Sequence, residues 1–116
     1  MFGVAKKTVV ENFVKTRCWI EAIKAYFDKE EGLGYNIGRV SIHGCDFSLS
    51  SYTYIEEGDE ELKTFDISRD RTYVIPLIKD AEAIAGEPIE LLASPWSPPA
   101  FMKTNQTMLT GGKLKT

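Results

Sequence analysis

The sequence predicts an α/β domain built on parallel strands. Two stretches, 14–28 and 72–85, have the spacing of amphipathic helices, and each is followed by a short apolar run typical of a strand, at 34–43 and 89–94. Such alternation favours right-handed crossovers between parallel strands. A possible strand near the start would make three. Three parallel strands with two helices leave a sheet edge open, so we expect residues 1–116 to form the first part of a larger structure.

Composition narrows the possible functions. The chain has 116 residues, 43% hydrophobic and 27% charged, with a net charge of −3, which indicates one globular domain. The charge gives no reason to expect a nucleic-acid partner. The apolar stretches are too short to cross a bilayer and no signal-peptide pattern begins the chain. We therefore expect no membrane span, and the sequence does not fix the compartment.

The first helix is better defined than what precedes it. Phe2–Ala5 could begin a strand, but Lys6 and Lys7 follow at once. Neither the helical nor the strand spacing of apolar residues fits residues 1–12. From Val14 to Asp28 the apolar positions follow helical spacing, and they form one broad face: Ile20, Ile23 and Phe27, with Trp19 and Tyr26 beside them.

The next strand contains an arginine. Val40 and Ile42 share one face of the strand, and Arg39 lies on the other. A buried cation needs an anion or hydrogen-bond acceptors, because its desolvation costs several kcal/mol. Asp46 is close enough in sequence to be the anion that pairs with Arg39. The two could form a structural pair, or both could line a polar pocket.

Residues 48–70 form a long polar connection. Its acidic run, from Glu56 to Glu61, lacks the ligand spacing of a calcium loop and is interpreted as solvated. A metal site made of His43, Cys45 and Asp46 would be a poor tetrahedral set, so we expect no metal and no cofactor. Cys45 and the remaining cysteine, Cys18, are expected to be buried and unpaired.

The second helix and third strand lead to a tryptophan. Pro76 is tolerated only in a first turn, which indicates a helix start near 71–74, and Gly86 suits its C-terminal cap. The strand at 89–94 is expected to be buried and to end at Pro95, followed by Trp96. Trp96 could plug the mouth of a barrel or present its flat face to a sugar ring.

Several motifs in this order resemble the glucosylceramidases of glycoside hydrolase family 30. The resemblance covers about residues 25–115, and the agreement of several independent segments makes chance improbable. The matching segments are 32–40 (GLGYNIGRV), 45–48 (CDFS), 51–54 (SYTY), 75–78 (IPLI), 91–105 (LLASPWSPPAFMKTN) and 111–115 (GGKLK).

The resemblance implies a (β/α)8 TIM barrel, of which this chain would contain roughly the first three β/α units. It also implies a hydrolase that retains configuration while cleaving β-glucosides such as glucosylceramide, as in sphingolipid metabolism. Arg39 would orient the catalytic nucleophile, Asp46 would accept hydrogen bonds from sugar hydroxyls, and Trp96 would form part of the same subsite. Family members are often secreted or lysosomal.

Two departures from the family pattern matter. The Gly-Gly-Ala-Phe-Thr motif of the first strand is altered or absent here. The two catalytic glutamates of the family follow the fourth and seventh strands, beyond the segments matched here, so no catalytic residue is assigned. Gly86-Glu87-Pro88 only superficially resembles the acid/base motif, because it lies in a turn before the third strand. Since retaining hydrolysis needs two carboxyls about 5–5.5 Å apart, the chain alone is predicted to be inactive.

A second interpretation is a non-enzymatic or engineered partial-barrel module. Such a module would bind or build structure, and it could associate with itself through the open edges of its sheet.

Overall fold

The computed structural model describes residues 17–116. Its elements are α1 (Arg17–Phe27), β1 (Ile37–Ile42), α2 (Ser68–Thr72), α3 (Val74–Ala85) and β2 (Glu90–Pro95), followed by a 3-10 turn at Ala100–Met102. β1 and β2 pair as a two-stranded parallel sheet. The helix–strand alternation is therefore confirmed for this part of the chain. The strand expected at Phe2–Ala5, and the start of the first helix at Val14, lie outside the described residues.

The chain divides into two compact units, and the first contains residues up to 37 and residues 75–90. Its small core consists of buried Ile23, Ala81 and Ile89, against which Trp19, Phe27 and Ile84 pack. The apolar face of α1 is narrower than expected, because Ile20 remains 44% exposed and Tyr26 53%. Cys18, expected to be buried, is exposed.

The predicted helix at 72–85 corresponds to α3, and the short helix α2 precedes it, mostly in the stretch that was predicted to be a loop. Backbone helicity breaks at Tyr73, whose φ of −124° and ψ of −54° lie outside the regular helical range. Because α3 begins at Val74, Pro76 occupies its first turn, where a missing backbone donor costs little. Gly86 ends α3 with a φ of +71°, a left-handed conformation that favours glycine, as the sequence predicts.

The second unit contains residues 38–74 and 91–116, and with them all but the first residue of each strand. The prediction that the last strand is buried is wrong, since Leu91 is 43% exposed and Leu92 57%. Within residues 17–116 the sheet has only two strands, and both side chains remain exposed on it.

The long connection within this unit is solvated, as expected. Glu56, Glu57, Glu60 and Glu61 are all exposed. The turn is organised by the Asp59 carboxylate, which accepts hydrogen bonds from the backbone nitrogens of Lys63 (2.9 Å) and Thr64 (2.6 Å). These bonds favour the charged form and lower the pKa of Asp59.

The last residues form an element that the sequence did not predict. Lys103 and Leu114 form an antiparallel bridge. The bridge is flanked by hydrogen bonds from Thr104 N to Lys113 O (2.9 Å) and from Lys115 N to Met102 O (2.8 Å). The pairing returns the end of the chain to the segment that follows β2.

Candidate functional site

Arg39, within β1, contacts Trp96, which directly follows β2. The guanidinium carbon of Arg39 lies 4.2 Å from the centre of the Trp96 ring, a cation–π distance. Its Nε donates a hydrogen bond to Ser94 Oγ at 2.8 Å. Ser94 belongs to β2 and Arg39 to β1, so this bond crosses the sheet.

The suggested ion pair between Arg39 and Asp46 is not formed. Among the described residues the ion pairs are Lys29–Glu87 and Lys63–Glu61. Arg39 is exposed and not buried as the prediction assumed, so its charge remains solvated and needs no counterion. The ring of Trp96 and the hydroxyl of Ser94 orient the guanidinium instead.

Asp46 and Trp96 border one cavity of about 440 Å³. Trp96 is 39% exposed, and Phe47 contacts it edge-on with ring centres 6.2 Å apart. The segment after β2 completes the lining through Ser97, Lys103 and Met108, among others. Ser97 Oγ donates a hydrogen bond to the carbonyl of Met108 and so connects the two sides of this segment. Arg39 is not a lining residue, and it reaches the site through its stacking on Trp96.

A tight turn positions Asp46. The Cys45 nitrogen donates to Ser48 Oγ at 3.0 Å, and the Ser48 nitrogen donates to the Cys45 carbonyl at 3.0 Å. The thiol of Cys45 lies 3.3 Å from Ser48 Oγ, and this hydrogen bond lowers the pKa of the thiol. Cys45 is half-buried, not buried as expected. The turn leaves the Asp46 carboxylate exposed beside the cavity.

His43 has a structural partner. Its Nδ1 accepts a hydrogen bond from the Tyr54 backbone nitrogen at 3.2 Å, and the two rings lie 5.0 Å apart. Partial burial lowers the pKa of His43. Within residues 17–116, no group of three potential ligands could bind a metal ion. Nothing in the described residues therefore favours the metal interpretation.

A tyrosine cluster within the family-matching segment 51–54 connects the long loop to β1 and α2. Tyr54 OH donates to Asp70 Oδ2 at 2.6 Å, and the Gly44 nitrogen donates to the Tyr52 carbonyl at 2.9 Å. Arg69 lies over the Tyr52 ring at 4.0 Å. Burial, together with the hydrogen bond to Asp70, raises the pKa of Tyr54. The family resemblance includes this segment but predicts no role for its tyrosines.

Two parallel strands connected through helices form a small α/β unit, and this arrangement is consistent with part of an α/β barrel. Comparison with known families agrees. The glycosyl hydrolase family 30 TIM-barrel domain matches residues 14–116. The chain belongs to this family.

Individual relatives are consistent with this assignment. The lysosomal acid glucosylceramidase of Mus musculus is 40% identical over 95 residues, which are 80% of this chain and 18% of the mouse protein. Among solved structures, SrfJ from Salmonella typhimurium has a TM-score of 0.72 and 42% identity, and the alignment covers 82% of this chain and 21% of SrfJ. The endo-beta1,6-glucanase BT3312 has a TM-score of 0.64 and 34% identity, and the alignment covers 82% of this chain and 22% of BT3312. The chain thus spans about a fifth of the length of these relatives.

Within residues 17–116, the structure contains no helix long and apolar enough to span a bilayer.

Proposed function

We propose that this chain forms the glycone-binding part of a retaining β-glycosidase of the glucosylceramidase type. In this proposal residues 1–116 are the N-terminal segment of the (β/α)8 barrel and contain roughly its first three β/α units. Membership of glycosyl hydrolase family 30 supports the reaction class. The observation on which the proposal depends is that Asp46 and Trp96 border the same cavity.

The chemistry of the cavity suits a sugar. A carboxylate accepts hydrogen bonds from hydroxyl groups, and the indole face covers the C–H face of a pyranose ring. The cavity of about 440 Å³ lies within the range of small-molecule sites. Asp46 is exposed, so its carboxylate oxygens are accessible to a ligand.

Arg39 has a different role in this proposal. Ser94 binds only its Nε, so the terminal nitrogens of the guanidinium are available to a carboxylate. We assign that carboxylate to the catalytic nucleophile. The two catalytic carboxyls belong to parts of the barrel other than those matched here, and Arg39 would keep the nucleophile ionised.

Binding by the 116-residue chain tests the proposal. Methyl β-D-glucopyranoside is titrated while ¹H–¹⁵N spectra and the indole signal of Trp96 are followed. Asp46→Asn should weaken binding on the order of tenfold to a hundredfold, because a hydrogen bond to a charged group contributes about 1.5–3 kcal/mol. Glu57→Gln is the matched control, since Glu57 is an exposed carboxylate outside the cavity lining. Equal affinities for all three proteins would contradict the site.

Turnover is tested separately. The chain alone should not hydrolyse an aryl β-glucoside, because retention requires both carboxyls of the pair. Clear turnover by the pure chain would overturn the assignment of those carboxyls to other barrel segments. It would leave the sugar site intact.

One observation favours the second candidate, a module that associates with itself. Leu91 and Leu92 are apolar, exposed and located on a strand of a two-stranded sheet. Because each strand of a two-stranded sheet has one open edge, it can template the addition of further strands. Sedimentation velocity of the wild type and of Leu92→Lys tests this candidate. Concentration-dependent association that the lysine abolishes would support it, and a monomer at all concentrations would exclude it.

A further inference from the structure

In the part of the chain that the structure describes, Lys103 is a charged residue that is buried. Only 7% of it is exposed. It lines the same cavity as Asp46 and Trp96. Lysine is rarely buried to this degree unless its ammonium group has a partner.

The backbone conformation around Lys103 determines whether its side chain faces the cavity or the solvent. Lys103 ends the 3-10 turn, with its nitrogen donating to the Ala100 carbonyl at 3.1 Å, and then forms the antiparallel bridge with Leu114. Side chains alternate along an extended pairing. Met102 and Thr104, its two neighbours, are exposed, so Lys103 takes the inward position beside the cavity.

No described residue supplies an acceptor for this ammonium group. Lys103 is absent from the two ion pairs of residues 17–116, and no side chain or carbonyl in that range accepts a hydrogen bond from its Nζ. Because that part of the chain contains no buried side-chain nitrogen without a partner, Nζ reaches solvent, and it is free to donate hydrogen bonds to oxygen atoms that occupy the cavity. The volume of about 440 Å³ leaves room for those atoms to belong to water or to a ligand.

We propose that Lys103 donates a hydrogen bond to a ring hydroxyl of the sugar that occupies this cavity, and so helps to determine which sugar binds. The inference rests on the proposed glycone site. A hydroxyl group both donates and accepts, so a pyranose is suited to a cavity that offers an acceptor, Asp46, and a donor, Lys103. The opposite charges of these two residues also favour a neutral sugar over an acidic one.

The test uses the full 116-residue chain and methyl β-D-glucopyranoside as the probe. Lys103→Met removes the donor and retains the length and apolar stem of the side chain. Its affinity should fall on the order of tenfold, as for loss of a hydrogen bond to a charged group. Lys113→Met is the matched control, because Lys113 is exposed on the strand that pairs with Lys103, and its affinity should equal that of the wild type.

The monodeoxy methyl β-glucosides distinguish recognition from a structural effect. For one of them, the analogue that lacks the contacted hydroxyl, the wild type and Lys103→Met should bind equally. A loss of the same size for every analogue would indicate a structural role and overturn the inference. Lys103→Arg, which retains a donor, should bind the parent glucoside better than Lys103→Met, and this comparison remains informative if the methionine variant folds poorly.

Two further outcomes separate the inference from the proposed function. If Asp46→Asn weakens glucoside binding but Lys103→Met does not, the glycone site stands and the role of Lys103 is refuted. If the wild type binds no glucoside, both fail together. Tighter binding of methyl β-D-glucuronide than of the glucoside would also refute the inference, because it would make Lys103 an anion site.

Discussion

The hydrogen bond between Tyr54 and Asp70 offers a sharp test of how the long loop is positioned. Tyr54 OH lies 2.6 Å from Asp70 Oδ2, and the Tyr54 backbone donates to His43. The turn at residues 45–48, which contains Asp46, leads directly into this loop. We expect Tyr54→Phe to loosen the loop and leave the secondary structure intact.

The magnitude follows from the type of bond. A hydrogen bond to a charged group contributes about 1.5–3 kcal/mol, and partial exposure of both side chains reduces the contribution. We expect a loss of about 1–1.5 kcal/mol in the free energy of unfolding. Asp70→Asn should cost a similar amount, and the double variant should cost less than the sum of the two, because the single changes remove the same interaction.

Urea unfolding and amide hydrogen exchange measure the effect. The backbone nitrogens of Gly44 and Tyr54, both donors within this cluster, should exchange faster in Tyr54→Phe than in the wild type. Tyr73→Phe is the matched control, since no described residue forms a hydrogen bond with the Tyr73 hydroxyl, and it should change neither quantity.

An additive double-mutant cycle would refute the reasoning. So would unchanged exchange of the Gly44 and Tyr54 amides in a variant that has lost stability. Either result would mean that the hydroxyl contributes through general burial and not through its bond to Asp70.

Three other predictions follow from single contacts. The pKa of His43 lies below its ordinary value of 6.5, and its Nδ1 accepts a hydrogen bond from the Tyr54 N–H only when unprotonated. The contribution of His43 to the free energy of unfolding should therefore be fully present above pH 6.5 and lost as the pH falls through the lowered pKa. Urea titrations at several pH values should show this dependence in the wild type and not in His43→Asn. Ile23→Ala should cost about 2–5 kcal/mol in thermal or urea unfolding, whereas Ile20→Ala should cost well under half as much, because Ile23 is 3% exposed and Ile20 44%. Gly44→Ala should destabilise measurably, since a Cβ there would lie 2.9 Å from a neighbouring backbone nitrogen, and wild-type stability of this variant would show that the loop adjusts freely.

The fold was predictable where local pattern decides it. Helical spacing identified α1 and α3, and Gly86 and Pro76 marked the ends of α3 within a few residues, because caps and first turns depend on local backbone chemistry. Burial was less predictable. The run Leu91-Leu92 has the composition of a core strand, yet exposure depends on which layers cover it, and local sequence does not specify those layers.

The proximity of Asp46 and Trp96 was predictable from their positions after strands, and their role in binding stays a prediction. Asp46 and Trp96 each follow a strand, so parallel topology places them at the same end of the sheet, whereas Arg39 lies within β1. Their partners were not predictable. The stacking of Arg39 on Trp96 depends on the register between β1 and β2, and charge complementarity in the sequence suggested the wrong partner.

Lys103 shows the limit of the same logic most clearly. A lysine between Met102 and Thr104 carries no sign of burial in the sequence, since all three residues are compatible with an exposed segment. Its inward position arises only when Leu114 pairs with it across a loop of ten residues, 104–113. Long-range pairing of this kind can place a cation beside a carboxylate without leaving any periodic pattern. The charged lining of the cavity is therefore a tertiary property.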